Sequence, residues 1–318
     1  MTKEHAHCLV LGGRGFIGSH LVDALLAQGH KVRCFYRPSP EDTPVPTDAG
    51  PNLELFEGDL NDESRVAEAL KGIDVCFHLI STTLPQSSNA DPEYDVRTNV
   101  LSTVKLLTQA VVNGVKKVVF VSSGGTVYGV PKLSPIPETH ATDPVCSYGI
   151  TKLTIEKYMG LFRHLHGLDC TVLRIANPYG ERQRMRSGQG AVAVFLGKVL
   201  RGEPIEVWGD GSVVRDYIYI SDVIDSVIAA MHYSGPELVF NIGSGRGHSI
   251  NEVLQAVETA TGKPADRRYL PGRSFDVPSN VLCIERAVEQ LAWGPRVGFE
   301  EGLGRFVAWA NQDPDRYA

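Results

Sequence analysis

Tyr148 and Lys152 stand four residues apart in SYGITK (147–152), so a helix would carry both on one face. A tyrosine that exchanges a proton near neutral pH needs its pKa brought down from about 10. A lysine ammonium beside the ring favours the phenolate. Such a phenol could serve as base toward an alcohol being oxidised and as acid toward a ketone being reduced. A hydroxyl at the end of the apolar run in VVFVSSGGTVYG (118–129) could hold the reacting oxygen; Ser123 is the first candidate and Thr126 the second. Y-x-x-x-K also arises by chance on helix surfaces, so the chemistry needs a cofactor site.

LVLGGRGFIGSHLVDALL (9–26) offers one. Gly12, Gly15 and Gly18 fit G-x-x-G-x-x-G, with Gly13 added, between an apolar strand and a helix expected over 18–29, and Phe16 and Ile17 in this turn are also expected to bind the cofactor. Glycines let the backbone turn tightly and let a pyrophosphate approach it, while the helix start supplies free N–H groups and partial positive charge. A bound nicotinamide would add a second positive charge near Tyr148 and accept the hydride. The end of the second strand should carry an acid for the adenosine ribose. That place holds Tyr36 and Arg37 instead. NAD is the expected cofactor, and Arg37, with Arg33, would suit the 2′-phosphate of NADP. Asp59 in GDL (58–60) is placed to accept from the adenine amino group.

These residues need a frame. Strand and helix patterns alternate through 7–12, 18–29, 31–37, 53–60, 62–72, 74–81, a long helix over 91–113, then 116–123, 147–167 and 169–176. This alternation predicts an α/β fold, a doubly wound parallel (Rossmann) sheet. Past residue 176 the rhythm loosens into a smaller C-terminal α/β lobe that would bind substrate. The expected domains are 1–176 with about 213–240 returning to the sheet, and 177–212 with 241–318. The 318 residues suffice for both. A net charge of −6 without a basic block argues against nucleic acid. No apolar stretch reaches the ~20 residues of a membrane span, and the first residues are polar, so a cytoplasmic protein is expected. The six cysteines are scattered without a CxxC pair, which suggests neither disulfides nor a metal site.

GGRGFIGSHL, GDL, HLIS, NVLSTVKLL, VSSGGTVYG, YGITK, RIANPYG, GDGSVVRDYIYISDV and NIGSG occur in the order found in the extended short-chain dehydrogenases/reductases. The chain resembles the NAD-dependent nucleotide-sugar epimerases and dehydratases of that family over nearly its whole length, and most closely the UDP-hexose 4-epimerases. The resemblance implies that the glycines bind pyrophosphate and that Asp59 and Leu60 line the adenine pocket. Leu79 and Asn99 fall in cofactor-lining segments. Lys152 would hold the nicotinamide ribose and tune Tyr148. Asn177 would contact the UDP-sugar, and Arg215 and Arg273 would clamp its diphosphate. The helices at 91–113 and 147–167 resemble those of a four-helix homodimer interface, with Val96, Val100, Val104, Leu107, Ile155, Tyr158, Met159 and Phe162 as the apolar stripes.

Two departures bear on the reaction. Counted back from Tyr128, the family's usual serine or threonine falls on Gly124. Family dehydratases carry an Asp-Glu pair beside that residue, where this chain has Gly124-Gly125-Thr126. Without those carboxylates a 4-epimerase is expected: redox at C4 through a 4-keto sugar. The alternatives are an NADPH-dependent 4-ketoreductase, motivated by Arg37, a 4,6-dehydratase, and a non-catalytic NAD(P)-binding regulator, which would have no need of the Tyr148/Lys152 pair.

Overall fold

The computed structural model describes residues 5–39, 50–186, 190–272 and 277–312. β1 (His7–Leu11) is buried over its last four residues, as expected of an interior strand covered on both faces. It leads through the glycine turn into α1 (Phe16–Ala27), which starts two residues before the expected Gly18. β2 (Lys31–Tyr36), β3 (Leu53–Glu57), α2 (Glu63–Ala69) and β4 (Val75–His78) follow. The helix expected over 91–113 is interrupted: α3 (Pro92–Asp95) leads into a π-helical turn, Val96–Leu101, before α4 (Ser102–Val112). The extra residue per turn fits the Asn99 amide, which donates to the Asp95 carbonyl at 3.1 Å and to its carboxylate at 2.9 Å.

β5 (Lys117–Ser123), α5 (Ser147–His166), β6 (Asp169–Ile175), β7 (Asn177–Tyr179), α6 (Ala191–Arg201), β8 (Ile205–Trp208), β9 (Val214–Tyr219), α7 (Ile220–His232) and β10 (Val239–Ile242) come next. The main sheet has seven strands in the order β10-β6-β5-β4-β1-β2-β3, and the pairs β1–β2, β1–β4, β2–β3 and β4–β5 are parallel. Successive strands are added outward in opposite directions from β1 and from β4, which marks the switch point where α/β sheets bind ligands. The remaining elements are β11 (Gly247–Ser249), α8 (Ile250–Thr261), β12 (Arg267–Leu270), β13 (Ser279–Asn280), α9 (Glu285–Leu291) and α10 (Phe299–Ala310).

The chain clusters into two compact units: Met1–Val127, Pro144–Arg174 and Ile224–Phe240, and Tyr128–Asp143, Ile175–Val223 and Asn241–Ala318. Residues 213–223 do not return to the first unit as the sequence reading has it. β9 there pairs with β7, β11 and β13 in a separate four-stranded sheet. The signal misread was an apolar strand followed by an amphipathic helix, which suits either sheet equally. Helices α6 and α10, not expected from sequence, bury apolar stripes within the second unit.

One core layer of the first unit lies between α2, α4 and α5 and one face of the sheet. It takes in Val100, Leu107, Ile155, Met159 and Phe162, five of the eight side chains read as an interface stripe. The apolar side chains left exposed on these segments are others: Leu101, Val112, Ile150, Leu161 and Leu165, together with Val96 of the stripe. No helix among the described residues is long and apolar enough to cross a membrane.

Candidate active site

The glycine turn is built by close approach. Gly12 has φ +85°, in the left-handed region, and the Gly12 and Gly13 N–H groups donate to the Phe35 carbonyl at 3.0 and 3.1 Å. A Cβ on Gly13 would lie 2.5 Å from Cys34 Sγ, and one on Gly18 would lie 2.0 Å from the Gly12 carbonyl oxygen. Gly15 is roomier, with only the Gly12 oxygen 3.2 Å from its Cβ position. Gly15 caps α1 without a side-chain bond, and no acid stands in the first turn. The N–H groups of Phe16, Ile17 and Gly18 therefore point out of the helix end, where an anion fits.

At the end of β2, Arg14 lies over the Tyr36 ring, 4.8 Å from its centroid. Arg37 pairs with Asp59 at 3.3 Å, the arginine side chain largely exposed and the aspartate half-buried. Arg37 and Asp59 border an open cavity of about 530 Å³ lined also by Pro38, Glu57, Gly58, Asp62 and Arg65. Leu60 is buried, and Leu79 begins the segment after β4, its N–H donating to the Leu11 carbonyl.

Tyr148 and Lys152 lie in the first turns of α5, as their spacing requires. Gly149 makes this possible, because a Cβ there would meet the Thr126 carbonyl at 2.7 Å. Lys152 is 4% exposed, and its ammonium sits 4.7 Å over the Phe120 ring and 5.6 Å over the Tyr148 ring. It donates to the Val121 carbonyl at 2.9 Å, its one hydrogen bond among the described residues, which leaves two buried N–H donors for a ligand. Burial pushes the ammonium down to about 8, with Glu156 and Asp95 holding it up.

The phenol does not behave as the spacing alone suggests. Burial pushes the Tyr148 hydroxyl above its ordinary range; the charges of Cys146 and Asp95 add to this, and a hydrogen bond from Ser81 works against it. The ammonium lies over the ring face instead of at the oxygen, so desolvation wins. Of the two hydroxyl candidates, Thr126 Oγ1 is buried without a hydrogen-bond partner. Ser123 is half-buried at the end of β5, its carbonyl taken up by the N–H groups of Thr126 and Val127.

Sequence reasoning missed the polar residues beneath this pair. Glu156, one turn past Lys152, accepts from Ser122 Oγ at 2.5 Å and from Arg174 at 2.6 to 3.1 Å. Its four-residue spacing from Lys152, and the lone charge of Arg174 in the apolar strand β6, were the available signals. Asp95, wholly buried, had none. Asn99 does lie nearby: its Oδ1 accepts from the Thr82 N–H at 3.0 Å and its Nδ2 bonds Asp95.

The remaining candidates sit in the second unit. Asn177 Nδ2 donates to the Asp216 carbonyl at 2.8 Å. Arg215 Nη1 donates to the carbonyls of Val214 and Val277 at 2.8 and 2.6 Å. Asp216 is buried and accepts from the Ser244 N–H and hydroxyl and from the Gly245 and Leu282 N–H groups. Arg273 lies outside the described residues.

A parallel sheet whose first strand turns through glycines into an uncapped helix, with a Tyr-Lys pair on a later helix, defines the Rossmann class of short-chain dehydrogenases/reductases. The UDP-glucose 4-epimerase of Mycolicibacterium smegmatis is 36% identical, with 94% of this chain and 96% of that protein aligned. The crystal structure of UDP-glucose 4-epimerase with UDP-glucose from Thermotoga maritima superposes with a TM-score of 0.90 at 37% identity, over 97% of this chain and 100% of that one. The Thermus thermophilus UDP-glucose 4-epimerase complex with NAD gives a TM-score of 0.87 at 33% identity, over 96% and 99%. The chain belongs to the NAD dependent epimerase/dehydratase family, which matches residues 8–243.

Proposed function

We propose that this protein is an NAD-dependent nucleotide-sugar 4-epimerase of the UDP-glucose/UDP-galactose type. The observation that carries the reading is the Tyr148–Lys152 pair, with Gly124, Gly125 and Thr126 at the end of β5 in place of carboxylates. Expelling water across C5 and C6 needs an acid and a base there, and epimerisation at C4 does not.

Gly12, Gly15 and Gly18, with the N–H groups of Phe16 and Ile17, hold the pyrophosphate of NAD. Asp59 and Leu60 line the adenine, and Tyr36 and Arg37 flank its ribose. Leu79 and Asn99 border the cofactor, and the two spare donors of Lys152 suit the hydroxyls of the nicotinamide ribose. Bound NAD supplies a reversible two-electron acceptor for sugar C4 and a positive charge beside the phenol. Tyr148 takes the C4 hydroxyl proton and later returns it to the 4-keto oxygen. Ser123 hydrogen-bonds the reacting oxygen, with Thr126 as the second hydroxyl. Asn177, Arg215 and Arg273 hold the nucleotide sugar, the guanidinium forks being suited to a diphosphate. The unit with the glycine turn thus binds the dinucleotide and the other the nucleotide sugar.

A homodimer through α4 and α5 is supported by the exposed apolar residues Val112, Ile150, Leu161 and Leu165 on these helices and Leu101 just before α4. Six free cysteines suit a reducing, cytoplasmic setting. A second reading, an NADPH-dependent 4-ketoreductase, is favoured by one observation: Arg14 and Arg37 stand around Tyr36 where an acid would select NAD.

Purified protein given UDP-glucose or UDP-galactose without added cofactor decides between them. Interconversion, with NAD recovered from the denatured enzyme, is the expected result. No interconversion of either sugar, together with stoichiometric NADPH oxidation when NADPH and a UDP-4-keto-hexose are supplied instead, would overturn it.

A further inference from the structure

Asp95 is the C-terminal residue of α3, and its carboxylate is 0% exposed. It has no ion-pair partner among the described residues, an expensive state for a buried charge unless hydrogen bonds replace its water. All of its lone pairs are used. Oδ1 accepts from Thr83 Oγ1 at 2.6 Å and Asn99 Nδ2 at 2.9 Å; Oδ2 accepts from Ser147 Oγ at 2.6 Å and Thr151 Oγ1 at 2.9 Å. Ser147 and Thr151 immediately precede Tyr148 and Lys152. The neighbouring loop adds Ser88 Oγ, which accepts from the Tyr148 N–H at 3.0 Å, and Asn89 Oδ1, which accepts from the Ser147 N–H at 2.9 Å.

We infer that Asp95 is a positioning residue: its carboxylate ties the first two turns of α5, with Tyr148 and Lys152, to the turn carrying Asn99, and supplies the negative charge that faces the pair. The inference rests on the epimerase reading for its activity arm only. The groups facing the pair are Glu156 on α5, itself bound to Arg174 of β6, Cys146 before α5, His78 on β4, and Asp95. His78 is pushed down to about 3 by burial and by Lys152, so it is neutral at working pH. Asp95 is therefore the facing carboxylate without a cation of its own. It raises both the ammonium and the phenol, so removing its charge moves both in one direction, to lower pH.

The test compares wild type, Asp95→Asn and the double variant Ser147→Ala/Thr151→Ala. Asp95→Asn keeps the shape and removes the charge. Its kcat profile for UDP-hexose interconversion should move to lower pH at both limbs, by about half to one unit, with KM within about twofold. The phenolate ultraviolet titration, read against Tyr148→Phe, should shift in the same direction in protein alone. The double variant removes both donors to Oδ2 and cuts the tie, so kcat should fall about tenfold with KM within about twofold. A wild-type phenolate titration in folded Asp95→Asn, or wild-type kcat in the double variant, would overturn the inference. An inactive wild type would overturn the epimerase reading and leave the phenolate titration to decide Asp95. Should Asp95→Asn not fold, the double variant decides.

Discussion

Replacing Gly18 by alanine puts a methyl carbon 2.0 Å from the Gly12 carbonyl oxygen, 2.8 Å from its carbon and 2.9 Å from Gly13 Cα. Carbon meets a carbonyl oxygen comfortably at about 3.3 Å, so about 1.3 Å must come from moving backbone. All three neighbours are main chain, so no rotamer can relieve the contact. Alanine is the better helix former by about 1 kcal/mol, whereas overpacking of this kind costs about 1–3 kcal/mol and the displaced turn carries the cofactor cradle. The clash outweighs propensity. Thermal unfolding should fall by several degrees, at about 2–4 °C per kcal/mol. A shift of about 1 Å in the turn should cost turnover about 100-fold and lower the cofactor retained through gel filtration. Gly15→Ala is the matched control: its methyl meets only the Gly12 oxygen at 3.2 Å, so Tm should stay near wild type while the methyl obstructs the approaching pyrophosphate. A Gly18→Ala protein with unchanged Tm and retained cofactor would refute the reasoning.

Tyr148→Phe should abolish turnover and spare cofactor binding; unchanged activity would remove the proton-transfer role. Glu156→Gln leaves the Arg174 guanidinium buried without its counter-charge, both side chains being at most 5% exposed, and should cost about 3–5 kcal/mol in a denaturant melt. His78 is held neutral in the folded protein, pushed down to about 3, while the unfolded chain takes up a proton near 6.5. Its contribution to stability is thus whole above pH 6.5 and shrinks by about 1.4 kcal/mol per unit below that, down to about pH 3. Urea melts of His78→Gln, whose amide can keep a bond to Thr103 Oγ1, should show a flatter acid limb than wild type; equal slopes would contradict this.

Much of the chemistry was legible in one dimension because it depends on short-range spacing. Gly12, Gly15 and Gly18 must lie where a strand turns into a helix, and Tyr148 and Lys152 share a face at any helical i, i+4 spacing. The alternation of apolar strands and amphipathic helices also carried the order of the elements of the main sheet. What pattern could not decide was which partner each element meets. A stripe at Val100, Leu107, Ile155 and Met159 reads alike whether it faces its own sheet or another copy, and packing put it in the core. β9 reads as a strand for either sheet, and pairing assigned it to the smaller one.

The sequence by itself determined the glycine turn, the Tyr-Lys pair and the absence of carboxylates before Tyr128, because each is a matter of local spacing and residue type. Only the tertiary structure decided the electrostatics around them. Burial of the Tyr148 hydroxyl, the ammonium over the Phe120 ring, and the carboxylate of Asp95 facing the pair all come from residues far apart in the chain. Charge interactions and desolvation depend on distances through space and on the exclusion of water, and neither exists until the elements have packed.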